Sequence, residues 1–196
     1  MCARGAQPAS LRGRSTRALD GTGMPRFGDT NVFAVDVEDD ATPQSPRGTL
    51  WGRARVWVAG ASIGDFSSEH CGLSGFHQNL LDLSMSAPRL ECEAVAALSP
   101  LEAFCVLYAK LYDDGDQSDA SVAFDAAIWS RFVFLTNTSE AFNGANGFVH
   151  SLPGLRLRIL VRGDEPAKVV SVTLPWDDFN AVVGGFDAWA NQRSAV

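Results

Sequence analysis

The sequence contains no apolar run long enough to cross a bilayer, which excludes a transmembrane helix. Its N-terminal arginines are followed by no continuous apolar segment and do not read as a secretory signal, so the chain is expected in the cytoplasm. Cysteine is scarce. Cys2, Cys71, Cys92 and Cys105 have spacings that match no metal knuckle, and they are expected to be reduced thiols serving as small apolar side chains. There is no phosphate loop, no nucleophile elbow and no dinucleotide fingerprint. Histidine occurs three times. His70 adjoins Cys71, but His77 is not at the paired spacing of a zinc helix, and His70, His77 and His150 read as surface or satisfied structural side chains. No metal, no cofactor and no catalytic residue is expected.

What is present is a chain of 196 residues, 46% hydrophobic, enough for one good core and short for two. The formal charge of −7 is unevenly spread. Residues 1–26 carry five arginines against Asp20, or +4, which leaves −11 on residues 27–196. An acidic body disfavours nucleic acid and anionic membrane as partners and speeds association with a basic protein. Residues 1–23 are rich in Gly, Ala, Arg, Ser and Thr without hydrophobic period, the composition of a disordered tail. Met24 is expected to be the native start, and 24–196 a single domain.

The body opens with alternation over Asn31–Glu38, where Phe33, Val35 and Val37 share one face. After a polar loop at 39–48, Leu50–Val58 alternates again, with Trp51, Arg53, Arg55 and Trp57 opposite the apolar set. Ala59-Gly60-Ala61 suits a tight reversal into a strand at Ser62–Phe66. If the first two strands pair antiparallel, Asp36 and Glu38 share a face with Arg53 and Arg55 and form cross-strand ion pairs. A helix is expected from Leu73 to Met85, and a second from Ser99-Pro100-Leu101-Glu102, a capping box with proline at the first helical position. An acidic loop spans 113–121, a strand runs from about Ile128 to Leu135, and a hairpin joins 155–161 to 168–174. The closing helix starts at Pro175, with Trp176, Phe179, Val182, Val183, Phe186 and Trp189 on its buried side. The expected fold is α+β: a single antiparallel sheet of about six strands, helices packed on one face, in the order βββααβββα.

Two constellations offer a protein-binding surface. Glu38, Asp39 and Asp40, with Asp113, Asp114, Asp116 and Asp119, would meet a basic partner; a plain solvated loop is the alternative. Trp51, Arg53, Arg55, Trp57, Arg131, Arg156 and Arg158, with Trp129, would form a rival interface on the uncovered sheet face, or else simply dress that face in ion pairs and stacked rings. A regulatory adaptor and a small hydrolase are the other classes the chain admits.

Phe27-Gly28-Asp29, Phe33-Ala34-Val35-Asp36, Leu50-Trp51-Gly52, Val56-Trp57-Val58, Gly60 and Ile63-Gly64-Asp65-Phe66 together resemble the opening half of the immunity protein 42 family of bacterial polymorphic toxin systems. The Leu174-Pro175 start of the closing helix, with Phe179 and Val182-Val183, also resembles that family. The resemblance covers residues 27–83 best and 155–186 loosely. It implies a cytoplasmic antitoxin that binds and neutralises a cognate protein toxin as a stoichiometric inhibitor, and it carries over no site residue.

Overall fold

The structure, a computed structural model, describes residues 24–40, 49–67, 70–113, 115, 117–163 and 168–194. The basic tail at 1–23 lies outside them. Two antiparallel sheets replace the single one expected, while the α+β class holds. In the first sheet β1 (Arg26–Asp29), β2 (Phe33–Asp39), β3 (Trp51–Val58) and β4 (Ala61–Ile63) follow in order, and the short β5 (Cys71–Gly72) pairs with the start of β3. The expected ion-pair register is met: Asp36 lies opposite Arg55 and Glu38 opposite Arg53. In the second sheet β6 (Asn146–Leu152), β7 (Arg156–Arg162) and β8 (Val169–Pro175) form a meander.

Between the sheets in sequence lie α1 (Ser74–Ser84), the single-turn α2 (Glu93–Ala96), α3 (Pro100–Tyr112) and α4 (Asp119–Trp129). The capping box of α3 is formed: Ser99 Oγ accepts from the Glu102 amide at 3.4 Å, and the Ser99 amide donates to Glu102 Oε2 at 3.0 Å. Residues 128–135 are not a strand. Ser118 caps α4, four alanines carry the helix through Ala127, and a 3-10 turn at Ser130–Phe132 follows Trp129. Alanine is the best helix former, and the alanines up to Ala127 carry α4 on through Ile128 and Trp129, so the helix and the turn after it take up 128–132 of the expected strand. What remains of that strand is a single bridge, Val133 to Phe148.

The last helix, α5 (Trp176–Ser194), touches α1 and both sheets. Its face of Phe179, Val182, Val183, Phe186, Trp189 and Ala190 is buried. Phe179 stacks on Phe33 of β2 at 5.4 Å, and Phe186 meets Phe76 of α1 at 5.7 Å. Offset aromatic pairs of this kind add about 1 kcal/mol each beyond the area they bury. On α5 the two adjacent glycines differ in role. A Cβ at Gly185 would stand 2.8 Å from the Phe27 ring of β1, so the bare backbone is what lets that ring approach; a Cβ at Gly184 would meet nothing within 4 Å. Gly184→Ala is therefore expected to stabilise the protein by about 1 kcal/mol through helix propensity. Gly185→Ala is expected to destabilise it, because the Phe27 ring must move. Thermal unfolding of the two single variants checks the opposite signs.

Candidate functional site

The rival arginine and tryptophan surface has a buried centre. Alternation along β2 turns Ala34 and Asp36 to the face opposite the main core, yet both are 0% exposed. Arg26 of β1 and Arg55 of β3 flank Asp36 in register and close over it. Arg26 donates to Asp36 from Nε at 2.7 Å and from Nη2 at 3.0 Å, Arg55 Nε at 2.8 Å, and Trp57 Nε1 at 2.9 Å. Burial by itself would raise the carboxyl pKa; the bonds from Arg26, Trp57 and Arg55 outweigh it and hold Asp36 below its ordinary 3.8. The Arg55 guanidinium also lies over Trp57 at 5.0 Å and over Phe66 at 4.8 Å. Arg55 and Trp57 thus have a structural task that limits what they can offer a partner.

The rest of that set is not brought together on one face. Trp51 and Arg53 belong to the first sheet, with Arg53 opposite Glu38 in register. Arg156 and Arg158 belong to the second, where Arg156 is exposed and Arg158 Nη1 donates to the Leu98 carbonyl at 2.9 Å. Arg131 lies on neither sheet; it sits in the turn after α4 with its guanidinium 4.7 Å from the Phe132 ring. The single arginine face expected from the sequence fails because it presupposed one sheet.

The acidic candidates divide in two. Asp39 pairs with Arg193 of α5 at 3.1 Å, and Asp40, its side chain 8% exposed, pairs with His70 Nδ1 at 2.6 Å. Glu38 is exposed. Asp113 caps the end of α3 and Asp119 opens α4; both are exposed, and among the described residues neither has an ion-pair partner. Asp114 and Asp116 lie outside the described residues. No ion pair joins the two acidic groups among the described residues.

The histidines are structural. His77 Nε2 meets Asp187 Oδ1 at 2.9 Å, linking α1 to α5. His150 on β6 is 0% exposed; its Nδ1 lies 3.3 Å from the Ser151 carbonyl oxygen, and its Nε2 has no partner among the described residues. Burial, with Arg158 opposite it in register, pushes its pKa down to about 4 despite the carbonyl contact. Nothing in the local pattern marked it: the expected strands stop at Leu135 and resume at 155, and β6 falls between them. Cys71 is buried, Cys92 half-buried and Cys105 exposed. Among the described residues no cluster of His, Cys, Asp and Glu could hold a metal ion, and no helix is long and apolar enough to cross a membrane.

The solved crystal structure of CdiI from Burkholderia dolosa AUO158 is similar to this chain with a TM-score of 0.59 at 15% identity, over 83% of this chain and 98% of that one. At that identity the likeness is one of fold. The chain belongs to the family of immunity protein 42, whose model matches residues 24–189. It is accordingly a toxin-neutralising immunity protein with a cognate toxin as its partner. No curated protein matches the sequence significantly.

Two variants test the electrostatics. Asp36→Asn leaves two partly buried guanidiniums without their counter-charge and is expected to cost about 3 kcal/mol in denaturant unfolding. The second concerns pH. His150 is neutral when folded and takes up a proton readily when unfolded, so its contribution is complete above its ordinary 6.5 and lost as pH falls toward about 4. The loss is on the order of 3 kcal/mol, at ~1.4 kcal/mol per unit. His150→Leu is expected to flatten the stability curve between those pH values. Asp36, with its folded pKa depressed, keeps its contribution above 3.8 and loses it only in stronger acid.

Proposed function

We propose that the chain acts in the cytoplasm as a stoichiometric, non-catalytic inhibitor of a basic toxin, with its acidic segment at 113–119 steering the encounter. The observation that carries the reading is the division of the acids. Asp39 and Asp40 are held by Arg193 and His70, whereas Asp113 and Asp119 are exposed and have no ion-pair partner among the described residues. Unpaired surface charge acts mainly on the rate of association, because it guides an oppositely charged partner before contact. An acidic body of −11 over residues 27–196 adds to the same field. Arginines tied to Asp36 and to the Leu98 carbonyl contribute to that field less freely.

The test begins with the product of the neighbouring gene, expressed in a sensitive bacterium with and without this protein. Rescue together with a copurifying complex is the expected result; a harmless neighbour, or one that does not bind, overturns the pairing. Association rates then follow for a variant in which Asp113, Asp114 and Asp116 are changed to lysine. The expected effect at low salt is roughly tenfold slower association with a flatter salt dependence. Unchanged rates would shift the contact to the β3 residues Arg53, Arg55 and Trp57.

A further inference from the structure

Helix α4 carries apolar side chains on two sides. A helix turns about 100° per residue, so Ala120, Ala123, Phe124 and Ala127 form one stripe, and Val122, Asp125 and Trp129 lie about 180° away. All four members of the apolar stripe are exposed, Phe124 to 66%. The opposite side is the one turned inward: Val122 and Trp129 are half-buried, and Asp125 is the single fully buried residue of the helix. Asp125 is neutralised by Lys110 of α3 at 3.1 Å. Inward, α4 packs through Val122, Trp129 and the paired Asp125, with Trp129 against the core; outward, it leaves a phenyl ring and three methyl groups in water. An exposed apolar stripe of this kind is a candidate surface for another molecule to cover.

The charges around the stripe select among occupants. Residues 111–130 hold five aspartates and no lysine or arginine. Asp125 is spent on Lys110, and Asp119 and Asp113 stand at the N-terminal approach to the stripe. A second copy of this chain docking face to face would bring these acids against each other, and an anionic bilayer would be repelled by them. A protein surface with lysine or arginine around an apolar recess fits both features.

We infer that the outward face of α4, centred on Phe124 with Asp119 at its N-terminal end, is the surface that seats against the cognate toxin, with the phenyl ring filling an apolar recess bordered by basic residues. This rests on the reading of the chain as an inhibitor of a basic toxin. The alanines on either side let the partner approach the helix closely, and a single aromatic ring held among small side chains is the geometry of a binding hot spot. The acids set how fast the partners meet, and the ring sets how slowly they part.

The experiment uses the full chain and the purified toxin domain encoded beside its gene. Phe124→Ala is expected to raise Kd at least tenfold and Phe124→Asp by more, each with the unfolding midpoint of the parent, since the side chain is exposed. Hydrogen exchange across 119–129 is expected to slow on complex formation. If the parent binds and rescues while both variants bind within twofold of it, the toxin site lies elsewhere and this inference fails while the inhibitor reading stands. If the parent neither binds nor rescues, both fall. A concentration-dependent dimer of the free chain that Phe124→Asp disperses would assign the stripe to a second copy, and exchange already slow at 119–129 in the free monomer would assign it to this chain itself; either overturns the inference.

Discussion

The first sheet depends on a carboxylate that water does not reach. Asp36 sits in the middle of β2, and its oxygens take four donors from the strands on either side and none from solvent. An ionised group in that position is tolerable only while every donor is in place, because an uncompensated buried charge costs several kcal/mol. That requirement fixes register. A slip of β2 by one residue would turn Asp36 toward the phenylalanine core and Val35 toward the guanidiniums, so the alternatives to the native pairing are strongly excluded. Once β1, β2 and β3 are aligned, Phe33 is placed to stack on Phe179, and α5 can close across both sheets.

Charge in this protein accordingly does two kinds of work. Asp36, Asp39, Asp40, Asp125 and Asp187 each meet a cation or histidine and connect one element to another: strand to strand, strand to helix, helix to helix. Asp113 and Asp119 connect nothing within the described chain and are left to the surrounding solution. Sequence alone shows both kinds as one acidic excess. Only the geometry separates the acids that hold the fold from those available to an immunity protein for meeting its toxin.

Legibility followed the range of the interaction. Local rules located β2, β3, the reversal at Gly60, the capping box at Ser99 and the buried stripe of α5, because each is written in a few consecutive residues. The pairing of Asp36 with Arg55 was also readable, since alternation and an antiparallel hairpin suffice to place them opposite. Arg26 was not: in the sequence it belongs to a run of arginines in a tail, and only the pairing of β1 with β2 brings it over Asp36. The separation into two sheets was invisible for the same reason, as no local signal states which strands fail to pair. The strand expected at 128–135 gives way to the helix that precedes it, because the Ser118 cap and the alanines up to Ala127 carry α4 through Trp129 and the turn at Ser130–Phe132 follows at once. Glycine offers a further case, since Gly184-Gly185 looks like mere weakness in a helix until Phe27 is seen beside Gly185.

The ion pair that holds α4 to α3 gives this helix an unusual independence. Because α4 turns Val122, Asp125 and Trp129 inward and Trp129 alone meets the Phe132 ring, changes along its outer residues Ala120, Ala123, Phe124 and Ala127 stay clear of the phenylalanines at Phe104, Phe132 and Phe148. The fold can be inherited intact while that helix is rewritten. On the proposed reading of α4 as the toxin-facing helix, a change in what the protein recognises demands no change in how it folds.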